Sequence, residues 1–135
     1  MDAHPPSGGT PQQPGRWRAA ARWAPALIWM AVIFFLSHQP DLHLPGVGAI
    51  PDKAWHAGFY AVLGALLWRA LRPSGLSGAL LAIALGAAYG YTDEVHQRFV
   101  AGRFYDLGDW AFDIIGLVCG VLLALAVGRL GRRGR

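Results

Sequence analysis

Four stretches of nearly twenty mostly apolar residues divide the chain: Ala19–Ser37, Ala54–Leu71, Ser74–Thr92 and Trp110–Gly128. A run of about 20 such residues is long enough to cross the roughly 30 Å hydrocarbon core of a bilayer. No water reaches that depth, so every backbone amide must bond within its own segment, and each run is expected to be helical. The fold expected is therefore all-α: a membrane protein built as a four-transmembrane-helix bundle. Composition agrees, since 54% of the 135 residues are hydrophobic and 15% are charged, against about 25% charged in ordinary soluble domains. That balance excludes a disordered chain. The single cysteine, Cys119, excludes an internal disulfide or a multi-cysteine metal site and reads as a small packing residue in the lipid. Arg16, Arg18 and Arg22 precede the first run as in a secretory signal, but the run ends in LSHQP with no small-x-small cleavage site, so it reads as a retained helix.

The cations then fix an orientation. Arg16, Arg18, Arg22, Arg69, Arg72, Arg129, Arg132, Arg133 and Arg135 fall on one side of the runs, and only Lys53, Arg98 and Arg103 on the other. The positive-inside rule places both termini in the cytoplasm, with residues 38–53 and 93–109 facing outward. The net charge of +4 is a topology signal in this light and calls for no nucleic-acid partner. Met1–Gly15 holds four prolines and three glycines and reads as a disordered cytoplasmic tail, leaving 16–135 as one membrane domain. Arg72–Gly75 reads as a tight link between the second and third helices, and Ala101–Gly102 as a turn. The six tryptophans read mostly as an interfacial belt.

Polar residues gather at the outward end. On the second helix Asp52, His56, Tyr60 and Gly64 recur every four residues; on an extended third helix Tyr89, Asp93 and Gln97 share a face. Asp109 and Asp113 lead into Gly116 and Gly120 on the fourth, while Gly78, Ala82, Gly86 and Gly90 step along the third. Small residues let helices in lipid approach closely, so three polar stripes are aimed at one interior. Charges near a bilayer are costly unless paired or wet, which makes this convergence a candidate site. Plainer readings stand beside it. Asp106 and Asp109 suit helix N-caps; Asp113 suits a salt bridge to Arg98 or Arg103; His56 and Tyr60 suit interface packing. His4, His38 and His43 receive no assignment. Asp109 and Asp113 lie one turn apart, so two carboxylates there need a proton or a cation between them.

The segments DKAWHAGFY at Asp52–Tyr60 and TDEVHQRFVAGRFYDLGDWAFDIIG at Thr92–Gly116 resemble the VanZ-like family, whose pattern is DKxxHxxxY, then DExxQ, an arginine several residues on, and an Asp-containing start to a last helix rich in small residues. IFFLS at Ile33–Ser37 also fits, so the resemblance covers roughly residues 20–128. It implies a small multi-pass protein of the bacterial inner membrane acting in the cell envelope. The family is named for a factor of low-level resistance to teicoplanin, a lipoglycopeptide. The polar positions that match its motif are Asp52, Lys53, His56, Asp93, Glu94, Gln97, Arg103 and Asp109. Many relatives carry Asn where this chain has Asp113.

Three functions remain open on the residues. The first is an enzyme or binding protein for a phosphate-containing, lipid-linked envelope substrate. Lys53, Arg98 and Arg103 would meet phosphate, and Asp52, His56, Asp93, Glu94, His96 or Asp109 would supply acid–base chemistry. Tyr60, Gln97, Asp106 and Asp113 would complete the binding surface. The second is a non-enzymatic envelope factor that hinders drug access. The third is a cation- or proton-linked permease, for which four short helices would have to form a homo-oligomer. No HExxH-like ligand spacing is present, so neither a metal nor a cofactor is expected; the partners expected are membrane lipids, a lipid-linked precursor or a lipoglycopeptide.

Overall fold

The computed structural model describes residues 14–40, 52–71 and 75–133. The described residues form four helices and no strand: α1 (Pro14–Ser37), α2 (Asp52–Leu71), α3 (Gly75–Gln97) and α4 (Leu107–Arg133). Each apolar run lies inside one helix. The first helix opens at Pro14, inside the stretch read as a tail. Proline suits a first helical position, because its missing N–H is one the helix leaves unpaired there in any case. The rest of that stretch, the 41–51 segment with His43, and Arg72–Ser74 of the expected tight link lie outside the described residues.

Among the described residues, only α1, α3 and α4 are long and apolar enough by themselves to cross a membrane. Helix α2, which holds the second apolar run, falls short of the expectation for a physical reason: Asp52, Lys53, His56 and Arg69 all sit within its 20 residues. The bundle compensates by enclosing it. Helix α2 packs on all three of the others and buries Tyr60, Leu63, Gly64, Leu67 and Ala70.

Glycines set the register of α2 against α4. A β-carbon built on Gly116 would run into the backbone oxygen of Ala57, one on Gly120 into that of Ala61, and one on Gly64 into the backbone of Leu117. The two helices thus touch main chain to main chain. The small-residue row of α3 closes the other side: Ala82, Gly86 and Gly90 are buried, and Gly86 abuts the Leu117 side chain.

Two tryptophans expected in an interfacial belt instead tie helices together. Trp29 Nε1 donates to the Phe59 carbonyl of α2 at 2.9 Å, and Trp110 Nε1 to the Ala87 carbonyl of α3 at 2.9 Å. Trp17 is 82% exposed. Cys119 is exposed on α4, on the outer surface of the bundle where lipid would meet it.

Candidate functional site

The C-terminal ends of α1 and α3 and the N-terminal ends of α2 and α4 meet at one end of the bundle, where Ser37 bonds Asp93 and Lys53 bonds Asp109. Asp93, Glu94, Asp109 and Asp113 are all buried there. Four buried carboxylates need partners, and each one finds something different.

Asp93 accepts from the Ser37 hydroxyl at 2.6 Å. Glu94 reaches across the α3–α4 turn, where its Oε2 accepts the backbone N–H of Asp106 at 3.1 Å. Its other oxygen, Oε1, is buried with no partner among the described residues. Asp109 meets the Lys53 ammonium at 2.8 Å. Asp113 Oδ1 lies 2.9 Å from His56 Nδ1; the expected partners Arg98 and Arg103 are not used. His56 reaches Asp113 because the glycine contacts of α2 and α4 bring the two residues to one level.

Asp106 acts as the cap of α4: its Oδ1 accepts the Gly108 N–H at 2.6 Å. That bond and the Lys53 ammonium, 3.1 Å from Oδ2, hold the Asp106 carboxyl below the usual range. Asp109, the other candidate cap, lies inside the first turn of α4 and takes Lys53 instead.

The turn between α3 and α4 decides which arginine enters the site. Arg103 N–H bonds the Val100 carbonyl at 3.1 Å, with Gly102 at φ 79. A left-handed glycine at that position is what a type II turn requires. It sends Arg103 back over the bundle, where its Nε donates to the Gln39 carbonyl at 3.3 Å. Arg98 stacks on the Tyr105 ring, 4.0 Å from its centroid, and does not line the cavity. His96 also stays out: its Nε2 lies 3.1 Å from His38 Nδ1 on the outer surface of this end, in a stack with Phe34.

A cavity of about 160 Å³ opens between α1, α2 and α3. Its polar lining is Ser37, Asp52, His56, Tyr60, Asp93, Gln97 and Arg103, and its apolar lining is Ile33, Leu36, Trp55 and Phe59. The Tyr60 hydroxyl and Trp55 Nε1 are buried without partners among the described residues. Of the residues singled out from the sequence, Lys53, Glu94, Asp106, Asp109 and Asp113 stand behind this cavity as its support. Ser37 and the His38–His96 pair were not found by sequence reasoning. Ser37 closes the IFFLS segment noted for its family resemblance but carries no sign of a polar partner, and two histidines far apart in the chain give no signal of pairing.

A small helical protein, with three helices fit to span a membrane and a cluster of buried charges at one end, is the class defined by this arrangement. Residues 49–128, well over half of the chain, match the VanZ/LLP1 family, and the chain belongs to it. The match takes in α2, α3 and α4 as far as residue 128, and leaves α1 outside. No curated protein and no solved structure matches the chain.

Proposed function

We propose that this protein spans the bacterial inner membrane four times with both termini in the cytoplasm, and that its outward cavity holds the phosphate-bearing head of an envelope lipid. One observation carries the reading: the cavity is lined by charged and apolar side chains together. Such a surface suits a molecule that is polar at one end and hydrocarbon at the other. At about 160 Å³ it is close to the roughly 150 Å³ of a cavity that takes up benzene. It accommodates a phosphate-sized group with a few waters, while the acyl part stays in the bilayer. Arg103 is the one arginine on the wall and can grip a phosphate through two N–H groups; the Gln97 amide adds donors. Asp52 and Asp93 repel an anion, which directs it to the Arg103 side. The cation split of the sequence supports the orientation, and an accessory role in glycopeptide resistance needs no more than such binding.

Mass spectrometry of lipids retained by the purified protein tests this directly. A phosphate-bearing envelope lipid is expected with the wild type and should be lost in Arg103→Ala. Equal retention by the variant would remove the reading. A C-terminal reporter is expected to be active in the cytoplasm, and a cysteine placed within residues 41–49 should be labelled from outside intact cells. Labelling only after permeabilisation would reverse the orientation.

A further inference from the structure

We propose that Asp52, His56 and Asp109 form a binding site for a divalent transition-metal ion at the rim of this cavity. Each of the three offers a ligand atom, and those atoms all lie within 4.8 Å of one another. The site is independent of which lipid fills the cavity.

The histidine carries the argument. Its Nδ1 faces Asp113 Oδ1 at 2.9 Å, and Asp113 is 1% exposed, so one ring nitrogen is committed to a buried carboxylate. The other, Nε2, faces Asp109 Oδ2 at 3.9 Å, a gap too long for a hydrogen bond. A metal ion there takes the place of a proton on Nε2 and bridges the two atoms. Ligand atoms bonded at about 2.0–2.2 Å to a tetrahedral ion stand roughly 3.4 Å apart, so a small rotation closes the gap. Asp52, exposed on the first turn of α2, is free to swing in.

Asp113 behind His56 reproduces the carboxylate–histidine–metal relay, in which an outer carboxylate fixes the tautomer and aims the ring. Asp109 is divided in the same sense. Its Oδ1 is held by Lys53 at 2.8 Å, which leaves Oδ2 for the ion. Tyr60, 1% exposed, lines the same cavity, and its buried hydroxyl has no partner among the described residues. One imidazole with two carboxylates favours Zn²⁺ or a neighbouring first-row ion over Mg²⁺ or Ca²⁺, which prefer all-oxygen shells. Three protein ligands leave a coordination position open toward the cavity.

The test uses the full-length, untagged protein, stripped with chelator in detergent, with Zn²⁺ as the probe and bound metal measured by equilibrium dialysis and mass spectrometry. One Zn²⁺ per chain is expected. His56→Ala and Asp109→Asn should abolish binding. Asp113→Asn should weaken it by roughly 10- to 100-fold, the usual cost of losing a ligand's outer partner. Asp52→Asn is decisive, because Asp52 is exposed and its replacement leaves the fold intact; at least tenfold weaker binding is expected. The exposed His38–His96 pair is the rival site, so His38→Ala/His96→Ala should keep the ion. Absence of stoichiometric Zn²⁺ in the wild type, wild-type affinity in Asp52→Asn, or loss of the ion in His38→Ala/His96→Ala would each overturn the assignment.

Discussion

Replacing Gly120 by alanine places a methyl group against the main chain of α2. The added carbon would meet the Ala61 carbonyl group, with its oxygen and carbon both closer than any real contact and its α-carbon at 3.0 Å. These atoms belong to a helix backbone and cannot rotate away, so α2 and α4 must separate. Overpacking of a tight interface costs about 1–3 kcal/mol, and this contact belongs at the upper end. Alanine returns about 1 kcal/mol of helix propensity over glycine, leaving a net loss near 2 kcal/mol. Gly128 on the same helix provides the control, because nothing lies within 4 Å of a β-carbon built there. Gly128→Ala should gain up to about 1 kcal/mol for the same propensity reason. Thermal unfolding in detergent, followed by circular dichroism, reads both variants against the wild type. The melting temperature should fall by several degrees in Gly120→Ala, on the order of 2–4 °C per kcal/mol, and rise slightly in Gly128→Ala. Equal melting temperatures in the two variants would refute the idea that α2 and α4 meet through their backbones.

Asp113→Asn keeps a carbonyl oxygen to accept from His56 and should lose less than about 1 kcal/mol, whereas Asp113→Ala leaves a half-buried donor unpaired and should lose about 1–3 kcal/mol; chemical denaturation separates them. Ser37→Ala deletes the donor to buried Asp93 and should cost roughly 1–3 kcal/mol, as for a buried acceptor left unpaired, with Ser37→Thr restoring most of it in the same assay. Asp106 is held ionised by the Gly108 N–H and Lys53, so its contribution is present above the unfolded carboxyl value of about 3.9 and is lost as pH falls through its lower folded value. The stability difference between wild type and Asp106→Asn should therefore shrink as the buffer is acidified below pH ~4, and a difference that stays constant would show that the cap works without its charge.

The helices could be read from the sequence because hydrocarbon leaves a backbone so few choices. Twenty apolar residues carry their own instruction, and the small-residue rows of α3 and α4 announced the faces that pack. Pairings within the polar cluster were less legible. Asp113 was matched with arginines on grounds of charge, yet the partner is His56, because register is decided by where Gly116 and Gly120 seat against Ala57 and Ala61. Arg98 and Arg103 look interchangeable in a list of cations. They are separated by one left-handed glycine, Gly102, which turns Arg103 over the bundle and leaves Arg98 against Tyr105. The His38–His96 stack depends on two helix ends coming to one level, a property no local pattern encodes.

The polar character of α2 also bears on how the protein is made. A charged residue at the centre of a segment costs about 2.5–3.5 kcal/mol at the insertion machinery, and α2 brings Asp52, Lys53 and Arg69 near its ends with His56 one turn in. It has little claim on the lipid by itself while the ribosome is still synthesising the rest. Its best neighbour, α4, is the last helix to emerge. On the proposed four-span reading, integration of α2 is expected to be a late event, completed when the glycines of α4 arrive, with the segment open to proteases until then. A nascent chain halted after Leu71 should leave α2 accessible to added protease in membrane vesicles, and a chain halted after Arg133 should protect it. Protection of both would mean that α2 enters the bilayer unaided.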